Sequence, residues 1–372
     1  NIIKIFFNII IILLLSFSAL VFISENTYTF NKNLSSTIER EFLENYNLTS
    51  KIDSVKIKWE GINPNIHISQ LKLSDKKNNI ILDTPVSVFR IDLIESLFQM
   101  SMNVSEIIVD NTSIILSRDN SKISINNLRF MDEINKSNNT AIPRIILKNS
   151  TIKVNDKNIS NTINFKINTL IVSSFNNMLT INANFFHKSS QDPITFIYHA
   201  KKAEDNDLSK AYISGNSVNI PYDLLPASLR QIKSDRISFR IWMDLKNMKI
   251  EKLAGNITSS QLDVKLPLRN LKIKNVNSDI LYVKNKTLET LSLMRLNYHL
   301  NGKKVNDNKI VVSKSNSKQI KVFIKNGSYQ IMDVLSKKTN LINYDYLSKL
   351  KNPTIRNLQI HTSSKDILNY FS

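Results

Sequence analysis

Val55-Lys56-Ile57-Lys58-Trp59-Glu60-Gly61-Ile62-Asn63-Pro64-Asn65-Ile66-His67-Ile68-Ser69-Gln70-Leu71-Lys72-Leu73-Ser74 alternates apolar and polar residues on both sides of a short break. Period two puts Val55, Ile57 and Trp59 on one face of a strand and the lysines on the other, which predicts half-buried strand and not helix. The same alternation continues past breaks at 63–64, 75–78, 83–85, 110–111, 118–121 and 148–150, all rich in Asn, Asp, Ser or Pro. Predicted strands cover 66–74, 79–82, 86–91, 105–110, 113–118, 122–125, 144–148, 151–155, 159–172, 179–186, 194–199 and 210–218. Beyond residue 235 they cover 236–245, 249–255, 260–265, 268–274, 278–283, 291–300, 309–313, 319–324 and 354–362. Strands recurring through hairpin-sized turns predict a mainly β, antiparallel chain. Only five glycines are present, so Asn and Asp must fill most left-handed turn positions.

Helical spacing is confined to a few stretches. In 33–46, Leu34, Ile38, Phe42 and Tyr46 recur at i, i+4, with Ser35 or Ser36 as N-cap and Glu39 and Glu41 in the first turns. Residues 93–100, 222–232 and 329–350 read the same way, and Asp92 reads as the N-cap of the first of these.

Residues 5–23 are almost unbroken apolar sequence between Lys4 and Glu25. About 19 residues at ~1.5 Å rise span ~28 Å, the hydrocarbon thickness of a bilayer. Ser16-Phe17-Ser18 has the small-x-small form of a signal-peptide cleavage site, but Ala19-Leu20-Val21-Phe22-Ile23 stays apolar beyond it, so the run reads as an uncleaved transmembrane anchor. Lys4 on the short side places the long remainder outside the cytoplasm.

Composition removes several classes of function. No cysteine is present, which excludes disulfides, thiol catalysis and Cys-ligated metal. The five histidines, at 67, 187, 199, 299 and 361, have no metal-ligand spacing. There is no Gly-rich phosphate loop and no GxSxG, so the chain is not read as an enzyme and needs no cofactor. The net charge of +19 comes from 50 Lys and Arg against 31 Asp and Glu. These cations are spread along the chain and not gathered into a tail, which speaks against nucleic acid and leaves attraction to anionic lipid open. The joint abundance of Ile, Asn and Lys also has the look of AT-rich coding.

Several segments occur in a specific order. Val55 to Pro64 carries a Trp59-Glu60-Gly61 strand end and turn; Val86-Ser-Val-Phe-Arg-Ile-Asp92-Leu-Ile-Glu-Ser96-Leu97 joins a strand to a helix start. Ile114-Ile-Leu-Ser-Arg118-Asp119 leads into Ile123-Ser-Ile125, and Leu224-Leu-Pro226-Ala-Ser-Leu229 precedes Ile237-Ser-Phe-Arg-Ile-Trp242. In this order, over residues 1 to 300, the chain resembles the N-terminal part of the YhdP branch of AsmA-like proteins. It departs from the family pattern at Asp119-Asn120-Ser121, where Asp-Gly is usual, and turn chemistry is kept. Family chains are much longer, so this chain reads as a fragment or a reduced version.

The resemblance implies an N-terminal transmembrane helix followed by an elongated, curled antiparallel β-sheet, a groove with a few short helices. It implies an inner-membrane, single-pass protein with its bulk in the periplasm of a Gram-negative bacterium, assisting phospholipid transport to the outer membrane. Phospholipid, the inner membrane and outer-membrane or periplasmic proteins are the implied partners; the alternative is an assembly factor for outer-membrane biogenesis that conducts no lipid. Alternation alone leaves open whether the apolar face meets acyl chains or a second sheet. The implied organisation is an anchor at 1–24, an amphipathic helix and linker at 25–50, and groove at 51–220 and 221–372. Ile114, Leu116, Ile123 and Ile125 are the groove candidates, and Trp59, Gly61, Pro64, Arg118 and Trp242 the structural residues of the family motifs. Taken as residues alone, Trp59 and Trp242 read more readily as strand-packing or interface aromatics than as ligand contacts, and Arg118-Asp119 more readily as a solvated hairpin end than as a headgroup site. The helix at 33–46, just past the anchor, becomes the expected point of lipid entry.

Overall fold

The structure, a computed structural model, describes residues 15–19, 21–22, 28–46, 48–75, 78, 80–100, 102–119, 122–125, 143–156, 163–175, 178–187, 190, 192–201, 208–219, 232–234, 236–247, 249–266, 269–300, 303–315, 319–328 and 354–363. The chain divides into two compact units, Asn1–Asn176 with Ile181–Phe185, and Asn177–Thr180 with Phe186–Ser372. Residues 15–19 and 21–22 are helical; the rest of the apolar run 5–23 lies outside the described residues. Among the described residues no helix is long and apolar enough to cross a membrane, so the expected spanning helix is not shown.

The first unit begins with helix α1 (Tyr28–Tyr46). Its start lies upstream of the serines expected to cap it. Ser36 and Thr37 are therefore interior, and their hydroxyls donate back to the Asn33 carbonyl at 2.8 and 3.0 Å. Strands β1 (Thr49–Lys51) and β2 (Ser54–Glu60) pair with the two halves of β3 (Asn63–Ser74), which pairs in turn with β4 (Ile80–Ile91). The β2–β3 turn is Gly61-Ile62, with φ +66° at Gly61 alone, the form of a type II′ hairpin turn. The break therefore falls before Asn63-Pro64, which open β3.

Helix α2 (Leu93–Gln99) follows β4, and Asp92 caps it as expected, its Oδ1 accepting from the Glu95 amide at 3.0 Å. After it come β5 (Val104–Asp110), β6 (Ser113–Asp119), β7 (Lys122–Ile125), β8 (Arg144–Asp156) and β9 (Ile163–Phe175). β5 and β6 are not a hairpin. Both run parallel to β8, along its first and second halves, and this departs from the expected antiparallel meander. The reason is a pair of bulges. Asn111 (φ +56°) and Asn149 (φ +47°) each take a left-handed conformation, and the Asn111 amide donates to the Lys148 carbonyl at 3.0 Å, so both strands kink side by side and run on.

β4 also passes through a predicted break, at Asp83-Thr84-Pro85. Pro85 has no N–H to give, and opposite it the β3–β4 ladder skips Gln70 (φ +55°). Thr84, fully buried, places its hydroxyl 2.9 Å from both the Val86 and Asp110 carbonyl oxygens, which share its one proton. Residues that read as turns in sequence thus serve to bend continuous strands.

Val55, Ile66, Ile68, Leu71, Leu73, Ile81 and Ile91 form the core of the unit, with Leu34, Ile38 and Phe42 of α1 packed against it. Ile68 and Leu71 are 1% exposed, and each such burial contributes about 1.5–3 kcal/mol over leaving the side chain in water. The Glu39 carboxylate accepts from the Ile52 amide at 3.2 Å and ties α1 to the strand start.

In the second unit, β11 (Ile194–Lys201), β12 (Leu208–Val218), β14 (Ile237–Lys246), β15 (Lys249–Leu266), β16 (Arg269–Lys284), β17 (Leu288–Leu300), β18 (Lys303–Ser315), β19 (Gln319–Ser328) and β20 (Thr354–Ser363) pair antiparallel in that order. The short β13 (Ile232–Ser234) pairs with the end of β15; β10 (Met178–His187), which precedes the series, is divided between the units, with Ile181–Phe185 in the first. Bulges recur at Ser217, Asn275, Arg295 and Asp307, all at positive φ. The expected helices at 222–232 and 329–350 lie outside the described residues.

Candidate functional site

In the β6–β7 hairpin Leu116 pairs with Ile125 and Arg118 with Ile123. Ile114 and Leu116 are half-buried, and β8 presents Ile152 and Val154 beside them in register. Trp59, Gly61 and Pro64 belong to the β2–β3 hairpin, where Trp59 pairs with Pro64 and its ring meets Phe17 edge-on at 5.2 Å.

α1 spends its apolar stripe on the core, so it does not present that face to lipid.

The most extensive apolar surface is one that motif reading did not single out. In the second unit Met243, Leu253, Tyr282, Leu291, Val312 and Val322 pair in register across β14 to β19. Two residues along, on the same face, Ile241, Gly255, Ile280, Leu293, Ile310 and Ile324 form a second row. β12 extends both rows with Ala211 and Ile213, and β11 with Tyr198 and Phe196. Eight strands at ~4.8 Å make a stripe about 34 Å across, roughly twice the ~15 Å hydrocarbon depth of one leaflet.

A second protein layer would bury such a stripe. Of its sixteen residues only Ala211 and Ile324 are buried; the others are half-buried, and Leu291 is 41% exposed. The stripe deepens along β17, from exposed Leu291 to Leu296, Tyr298 and Leu300, which join Val276 in a dry cluster. There Asn308 Nδ2 donates to the Tyr298 hydroxyl at 3.1 Å. Among the described residues the face is thus closed at one edge and uncovered along its length.

Gly255 occupies the one stripe position without a side chain. A Cβ there would lie 2.3 Å from the Arg240 carbonyl oxygen, so β14 and β15 approach too closely for any other residue. The opposite face carries charge along its edges, with Asp244 beside Lys252 and Arg240 beside Asn256, and an Arg295–Asp279 ion pair. Trp242 stands on that opposite face, 53% exposed, its ring 5.2 Å from that of its register partner Tyr212. It therefore does not line the stripe.

The signal for the stripe was present in the alternation of 237–245 and 278–283. It needed register, which single strands do not carry, to become a surface. No curated protein and no solved structure matches the chain. The YhdP protein family matches it over residues 1–352, in keeping with the order of its hairpin motifs, and this chain belongs to the YhdP family.

Proposed function

We propose that this chain is an inner-membrane-anchored periplasmic protein that assists phospholipid transport toward the outer membrane, with acyl chains lying on the apolar stripe of the second unit and on the Ile114–Leu116–Ile123–Ile125 face of the first. The observation that carries the reading is the register-aligned stripe, apolar at every position that has a side chain and left half-buried or exposed at most of them. Water against such a face is costly, and each acyl methylene that replaces it contributes about 0.8 kcal/mol. Headgroups stay at the polar edge of the strands, since dragging charge across the stripe would be unfavourable. The action is passive guidance by surface, with no catalytic step.

A photoreactive benzophenone residue placed at Leu291 or Ile280 in the full chain, in intact cells, tests this by mass spectrometry of the adducts. Phospholipid adducts at both positions, absent from outward Lys252, are expected. Protein adducts alone, with reduced outer-membrane protein levels and normal lipid distribution, would overturn conduction in favour of an assembly role.

A further inference from the structure

Helix α2 and the residues after it gather exposed apolar side chains, among them the two most exposed of the described chain. Leu97 is 69%, Phe98 86% and Met100 96% exposed, with Ile94 and Met102 beside them. None of the helix residues is buried. Soluble surfaces rarely gather this much apolar area without an apolar partner.

The base of this loop is firmly built. The Asp92 amide donates to the Asn103 carbonyl at 3.0 Å, the Asn103 amide to Ser96 Oγ at 2.9 Å, and Ser96 Oγ to the Asp92 carbonyl. The apolar tip is therefore held out from the strands by a tied neck. Met100 closes the helix at φ +49°, a left-handed position that Gly or Asn usually takes. A bulky apolar residue kept at a strained and exposed position points to a surroundings other than water.

The position of the tip says which. The Leu93 amide donates to Asn63 Oδ1 at 3.2 Å, which joins α2 to the β2–β3 turn, where Ile62 is also exposed. The same turn follows Trp59, whose ring meets Phe17 of the N-terminal apolar run. The run, Ile62 and the α2 tip thus emerge at one end of the same strands.

We propose that the α2 tip, Ile94 to Met102, inserts into the bilayer leaflet from which the N-terminal run emerges, as a second, non-spanning foot that holds the first strands against the membrane. This rests on the reading of residues 5–23 as a membrane anchor. An amphipathic element of this kind needs only to reach the acyl boundary, and the neighbouring span supplies the high local concentration that a lone loop lacks.

The chain has no cysteine, so single-cysteine variants F98C, M100C, L15C and N78C of the full chain can each carry one fluorophore. They are reconstituted in phosphatidylethanolamine–phosphatidylglycerol vesicles and quenched with either nitroxide-labelled lipid or aqueous iodide. Expected is strong quenching by lipid nitroxide and loss of iodide quenching at 98, 100 and 15. The reverse is expected at 78, in the exposed turn at the far end of β3. Iodide access at 98 and 100 with 15 in lipid would overturn the foot and leave the anchor standing. Iodide access at 15 as well would overturn both. Shielding of 98 from both quenchers would mean contact with a second copy, and would also overturn the proposal.

Discussion

Leu71 and Leu291 lie in strands written with the same alternation, yet Leu71 is 1% exposed and Leu291 41%. In the first unit α1 lays Leu34, Ile38 and Phe42 over the inner face of β2 to β4, and the result is a dry core. In the second, no described element covers the face of β14 to β19, and most of its two rows of apolar side chains stay half-buried or exposed. The alternation specifies that a strand has an apolar face; what covers that face decides whether it is a core or a surface for something else.

The sharpest way to break this contrast is to put one charge in each place. Ile68→Asp in the closed face should cost more than about 4 kcal/mol and unfold the first unit, because the carboxylate has neither water nor a partner there. Leu291→Asp should change stability by less than about 1 kcal/mol, since water already reaches that position, while abolishing lipid adducts at Ile280. Chemical denaturation followed by hydrogen exchange in β3 and β17 reads both. Equal destabilisation by the two substitutions would mean that the stripe is a core after all.

Gly255→Ala comes next and asks whether the open face depends on its bend. The added methyl meets a backbone oxygen and not a movable side chain, so the strands must part, at about 1–3 kcal/mol. Faster amide exchange in β14 and β15, with β3 unchanged, is the expected outcome; an unchanged exchange pattern would remove the close approach as a structural requirement.

The strand positions were legible because period two survives in 55–60 and 66–74, and the Asp92 cap because an Asp before an apolar run has few other uses. The bends were not. Asn111, Asn149 and Pro85 have the chemistry of turns, and a bulge and a turn draw on the same residues; only the register of the neighbouring strand separates them. Parallel pairing of β5 and β6 with β8 was hidden for the same reason. Of the candidate site, the β6–β7 pairing was legible because a hairpin is local, whereas the stripe draws each residue from a different strand.

Glu106 tests the closed region from its outer side. Its carboxylate is nearly buried, 2.7 Å from Arg90 Nη1 and 3.3 Å from Arg144 Nη1, and Arg90 also reaches Glu60 at 3.4 Å. The network ties β2, β4, β5 and β8 together near the α2 neck. Glu106→Ala takes the carboxylate from Arg144 and leaves Arg90 only the exposed Glu60, but both arginines are half exposed, so solvent offsets much of the loss and about 1–2 kcal/mol is expected in the denaturation midpoint. Glu60→Ala, at the exposed end of the network, should cost a small fraction of that.

The smallest effect is a pH dependence confined to the closed region. Burial first, then the Lys58 charge, holds the His67 imidazole below its usual value of 6.5; Glu60 opposes and Arg90 adds to the lowering. Between that lowered value and 6.5 the unfolded chain takes up a proton that the folded chain refuses, so stability is full above 6.5, falls as pH drops through it, and levels off below the folded value. His67→Asn removes the titration without removing the strand position. The variant and the parent should have the same β3 exchange protection at pH 8, and the parent should lose more of it by pH 5. A parent that gained protection on acidification would place a carboxylate, and not burial, in control of His67, and would mean that Glu60 turns inward where the closed face ends.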